Sequence, residues 1–130
     1  MLLKNRSQFE SHIASGRERL EMLAALVETL PPERLSLARW FGFGKGCAVG
    51  WAANDPWFRA QGLRLGYSDD LAHCRPEFEH RSDWAAVASF FAITHGEAQH
   101  LFTAAGGGSK PEPAVLARRI RDFIARRHAA

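Results

Sequence analysis

Phe9, Ile13, Leu20, Leu23, Val27 and Leu30 recur at helical spacing until Pro31 and Pro32 interrupt them. That period predicts an amphipathic helix, with Glu10, Arg17, Glu18, Glu21 and Glu28 on its polar side. Ser7 and Glu10 have the spacing of a capping box at its start, where each side chain can satisfy a free backbone N–H. Glu33 to Trp40 predicts a short helical turn. The glycine-rich corner WFGFGKGCAVGW follows, and from Cys47 to Asn54 the small residues predict a short, closely packed helix.

Asp55-Pro56 is a second helix start, with Asp as cap and Pro in the first turn, and Gly62 is placed to end that helix, which buries Trp57 or Phe58. Between Leu63 and His80 the period changes. Leu63, Leu65 and Tyr67 alternate with Arg64 and Gly66, which predicts at most one short strand pair, with YSDDLAHCRP as an exposed loop. Ser82 or Asp83 caps a helix through Trp84, Val87, Ala88, Phe90 and Phe91. Thr94 and Glu97 repeat the capping-box spacing for a helix through Ala98, Leu101 and Phe102. After Gly106-Gly107-Gly108 and the linker SKPEP, Val115, Leu116, Ile120, Phe123 and Ile124 mark the apolar face of a last helix.

The predicted fold is therefore mainly α: residues 1–130 as a single compact domain of five or six helices, with at most one short strand pair. Its expected core is Phe9, Ile13, Leu20, Leu23, Val27, Leu30, Cys47, Val49, Trp51, Trp57, Val87, Phe90, Phe91, Ile93, Leu101, Phe102, Ile120, Phe123 and Ile124.

Composition narrows the class. A 130-residue chain with 46% hydrophobic and 24% charged residues is ordinary for a globular protein that needs no disulfide framework. No apolar run reaches the roughly 20 residues of a membrane helix, and the N-terminus lacks a secretory signal. A cytoplasmic protein with Cys47 and Cys74 as free thiols is expected. The net charge of +3 is unevenly spread: Lys110, Arg118, Arg119, Arg121, Arg126 and Arg127 face only Glu112 and Asp122 near the C-terminal end. Such a basic pole can meet phosphates or an acidic partner.

The candidate chemistry is incomplete at each place. Lys45 precedes Gly46 and Cys47, whereas a phosphate-binding loop needs Lys followed by Ser or Thr. A dinucleotide site lacks its leading strand. No cofactor is expected. Cys47 at a helix start, beside Lys45, is a candidate thiolate nucleophile, with His95 the first candidate for its base among His73, His80, His95 and His100. A metal site could draw on His73, Cys74 and His80 with Cys47, but no CxxC pair or HExxH motif appears. The five-residue step from His95 to His100 turns those side chains apart on a helix, so no metal is expected.

DWAAVASFFAITHGEAQHLFTAAG carries the most specific pattern. Ala88, Ile93 and Ala98 stand where a helix-turn-helix needs small residues at the crossing and an apolar plug in the turn, predicting such a pair over 83–104. As a DNA reader its second helix would offer Gln99 and His100, with Arg118, Arg121 and Arg126 on phosphates. CAVGWA, FFAITHGEAQHLF and ARRIRDFI together resemble a group of uncharacterised small bacterial and phage-borne proteins with a Cys-Ala-x-Gly-x-Ala stretch. The resemblance implies no activity. It implies that Cys47, Gly50, Glu97 and Phe102 belong to one shared fold pattern. The leading functional expectation is a non-catalytic interaction module for a macromolecular partner, protein (or a second copy of the chain) before nucleic acid. A DNA-binding helix-turn-helix comes second, and a Cys47-dependent hydrolase or transferase third.

Overall fold

The computed structural model describes residues 13–36, 40–42, 45–67, 74–103 and 112–128. Along the chain these form α1 (Gly16–Glu28), a 3-10 turn (Pro32–Arg34), β1 (Phe41–Gly42), β2 (Lys45–Gly46), α2 (Ala48–Ala53) and α3 (Pro56–Ala60). There follow β3 (Arg64–Tyr67), β4 (Cys74–Phe78), β5 (Arg81–Ser82), α4 (Asp83–Phe91), α5 (His95–Phe102) and α6 (Pro113–His128). The fold is mainly helical.

Helix α1 opens on a complete capping box: the Ser15 hydroxyl accepts from Glu18 N–H at 3.1 Å, and the Glu18 carboxylate accepts from Ser15 N–H at 3.1 Å. The expected cap at Ser7 and Glu10, and the core position Phe9, lie outside the described residues. Ile13 is a correction. Expected in the core, it is 82% exposed, because it precedes the Ser15 cap and the helical period that would turn it inward has not begun. From the cap onward Leu20, Leu23, Ala24 and Val27 form the buried stripe, which packs chiefly against α6 through the stripe of Leu116, Ala117, Ile120 and Ile124. Val115, expected on that apolar face, is 52% exposed.

The glycine corner is a two-stranded hairpin, with Phe41 opposite Gly46 and Gly42 opposite Lys45. Cys47 then caps α2, whose Ala48, Val49, Gly50, Ala52 and Ala53 are all buried. Asp55 caps α3 by accepting from Trp57 N–H at 3.0 Å, and Gly62 ends the segment at φ 103°, a conformation open to glycine at no steric cost. Of the two candidate anchors in α3, Phe58 is the buried one and Trp57 is half-buried. Trp51 is also only half-buried, with its indole N–H donating to the Arg34 carbonyl at 2.9 Å.

The sheet exceeds the expected strand pair. β3 is antiparallel to β4 and β4 to β5. Cys74, Arg75 and Pro76, expected in a loop, form the first part of β4. β5 is two residues long, too short to show an alternating pattern, and is brought back by the Glu79-His80 turn, where Glu79 takes φ 57°.

Helix α4 lies on β4 and threads an aromatic chain through the core. Phe90 meets Phe78 at 5.0 Å and Phe91 at 4.9 Å between ring centroids, both edge to face, and Phe91 meets Phe102 at 5.7 Å. These are favoured aromatic geometries. Two features bind α1 to this chain. Gly16 sits so close to α4 that a Cβ there would lie 2.3 Å from the Phe91 carbonyl oxygen. Arg19, only 8% exposed, donates to the Phe90 carbonyl at 2.8 Å and to Gln61 Oε1 at 3.1 Å, with its guanidinium carbon 4.3 Å from the Phe90 ring centroid and 5.4 Å from that of Phe78. Burial lowers the Arg19 pKa, with Glu79 pulling weakly the other way. Its charge is thus held by a carbonyl, an amide oxygen and two ring faces.

Candidate functional site

The α4–α5 corner positions one wall of an open groove. Ala92 ends α4 in the left-handed region at φ 56°. Ile93 is buried immediately after it, and its N–H reaches back to the Ala88 carbonyl at 3.0 Å. Helix α5 starts on the predicted capping box: Thr94 Oγ1 accepts from Glu97 N–H at 3.0 Å, and Glu97 Oε1 accepts from Thr94 N–H at 2.8 Å.

Helix α6 runs antiparallel beside α5. Near the α5 start, Arg127 donates to both Glu97 oxygens at 2.9 and 2.8 Å and to the Ala92 carbonyl at 3.4 Å. At the α5 end, Arg119 donates to the carbonyls of Leu101 and Thr103 at 3.2 and 3.5 Å, the place where a helix carries negative partial charge. Between these ties lies a groove of about 770 Å³ with Leu101 and the half-buried Phe123 in its walls and His100, Arg119, Arg126 and Arg127 around them.

The charges in this groove are not equivalent. The Thr94 N–H holds the Glu97 carboxyl below its ordinary range, Arg127 adds to that effect, and partial burial opposes it. Arg119 is committed to helix-end carbonyls. Arg126 is exposed and has no carboxylate partner among the described residues. Glu97 is the groove's one lining carboxylate among the described residues, and it is already taken.

The structure separates the residues that the sequence offered together. His100 and Arg126 line the groove. Gln99 and His95 are exposed on α5 and lie outside that lining. Arg121 points to α1, where it pairs with Glu28. Arg118 is exposed and turned about 100° from Arg119 around the helix. Arg119, Phe123 and Arg127 were missed as site residues. The i, i+4, i+8 spacing that puts them on one face of α6 was the signal that could have found them.

The Cys47 corner has the opposite character. Cys47 is 4% exposed, and burial pushes its thiol up to about 11, against smaller opposing pulls from the backbone amides of Gly50 and Val49. Cys47 is thus buried as its place in the expected core requires, and for its thiol desolvation outweighs the pull of a six-residue helix start. Among the described residues no histidine hydrogen-bonds Cys47. His80 is exposed at the β4–β5 turn, and His73 lies outside the described residues. No group of three His, Cys, Asp or Glu side chains among the described residues is arranged to hold a metal ion, and none of the described helices is long and apolar enough to cross a membrane.

Comparison of the chain with family models, with curated proteins and with solved structures finds no match.

Proposed function

We propose that the protein is a non-catalytic interaction module that docks an acidic segment of a protein partner in the α5–α6 groove. The carrying observation is Arg126, exposed and without a carboxylate partner among the described residues, in one groove lining with His100 and the apolar Leu101 and Phe123. A chain segment with carboxylates flanking an apolar side chain complements both features. Fluorescence anisotropy with a labelled peptide of four glutamates around a central leucine tests this. Binding should weaken with added salt, and Arg126→Ala should weaken it about five-fold, the scale of one exposed charge pair. Equal binding of the corresponding lysine peptide, or none of the acidic one, overturns the reading.

A second reading, DNA recognition by a helix-turn-helix over 83–104, draws support from the α4–α5 turn, where Ile93 and Ala98 are buried and His95, Gln99 and His100 are exposed. It stands second because the exposed face of α5 carries no arginine or lysine. A DNA duplex bound more tightly than the acidic peptide at the same salt reverses the order.

A further inference from the structure

We infer that Glu97 is a built-in competitor in this groove, occupying Arg127 as an incoming carboxylate would and so restricting acidic partners to the Arg126 and His100 side. The inference rests on the docking reading above and goes beyond it, by naming the residue that sets which cation a partner can use. Its basis is geometric. Both Glu97 oxygens accept from the same Arg127 nitrogen, at 2.9 and 2.8 Å, and the same arginine reaches the Ala92 carbonyl at 3.4 Å. Glu97 is itself fixed, because one of its oxygens also accepts from the Thr94 N–H at 2.8 Å. Holding a side chain by its own helix cap removes much of the entropy cost that weakens most surface ion pairs. A partner carboxylate must therefore displace a pre-positioned rival to reach Arg127, and none among the described residues to reach Arg126.

Glutamine separates the two jobs of Glu97. It completes a capping box as glutamate does, but it carries no charge to hold Arg127. With the labelled four-glutamate peptide at low salt, Glu97→Gln should bind about five-fold more tightly than the natural chain, the scale of one released charge pair. Arg127→Ala alone should weaken binding, because it leaves the Glu97 carboxylate without its counter-charge at the groove. The double variant Glu97→Gln, Arg127→Ala should lose the gain. Thermal melts of each variant establish that the fold is intact.

The outcomes part cleanly. If neither the natural chain nor Glu97→Gln binds the peptide, the docking reading fails. If the natural chain binds and Glu97→Gln binds no better, docking survives and the competitor role is overturned. A double variant that binds more weakly than the natural chain by as much as Arg126→Ala does overturns it too, because Arg127 would then already be serving the ligand. A gain that persists in the double variant overturns the link to Arg127, reducing the effect of Glu97 to bulk charge.

Discussion

The Cys47 corner and the α5–α6 groove invert each other. The corner holds the residues that look reactive, a thiol at a helix start after a glycine-rich turn with a lysine, and folding seals that thiol among buried small side chains. The groove is built from two amphipathic helices whose apolar faces serve the core, and folding leaves cations gathered along their open edge. The difference is where desolvation falls. A group whose charged form is buried loses its chemistry to the cost of leaving water, whereas a guanidinium at an edge keeps both its charge and its access. The corner should therefore respond to changes in volume and the groove to changes in charge.

The largest effect should come from Phe58, fully buried in α3 next to the corner. Phe58→Ala should destabilise the protein by about 3–5 kcal/mol through lost burial and the cavity left behind. Arg126→Ala should stay within about 0.5 kcal/mol, as for most surface substitutions. Urea unfolding of the two variants checks the pair. A stability loss on Arg126→Ala comparable to that of Phe58→Ala would make the groove arginine structural and erase the contrast.

Cys47 gives the next effect, and it is one of pH. The folded chain favours the neutral thiol, raised to about 11 from an ordinary 9.0. Its contribution is fully present below the ordinary thiol range and is lost as pH rises through that range towards 11. The loss amounts to about 3 kcal/mol. Unfolding curves between pH 8 and 11 should therefore fall more steeply for the natural chain than for Cys47→Ala. Parallel curves, or rapid alkylation of Cys47 in the native state at neutral pH, would show an accessible thiol and reopen the corner as a site.

Local signals carried much of this fold into the sequence. The boxes Thr94 with Glu97 and Ser15 with Glu18, and Asp55 before Pro56, are self-contained instructions, because both partners lie within one helical turn. The Ser15 box nonetheless competes with the same spacing at Ser7 and Glu10, on which the expected helix start rests. Ile13 fits the period of the residues after the cap, and periodicity cannot show that the chain at Ile13 has not yet become helical. β5 was illegible for a different reason: Arg81 and Ser82 are strand only because the Glu79-His80 turn returns them to β4. The groove was half legible. The arginines were visible as a basic segment, but helical rotation sends Arg121 towards Glu28 and Arg126 towards α5, and only the docking of α5 on α6 gives that split a meaning. Arg19 was not legible as a core residue, since its burial depends on Phe78, Phe90 and Gln61, all distant in sequence.

The smallest effect concerns the two chain reversals that frame these regions. On the side of the corner the positive-φ position after α3 is Gly62, whereas at the edge of the groove the corresponding position after α4 is Ala92, at φ 56°. Glycine is the usual residue at such a helix end because a Cβ is disfavoured in the left-handed region. Ala92→Gly should raise stability by about 0.5–1 kcal/mol, less any packing lost where the Ala92 methyl approaches Gly16. A higher urea midpoint with unchanged slope would show that backbone strain dominates there. A lower midpoint would show that the approach of the methyl to Gly16 contributes more than its conformation costs.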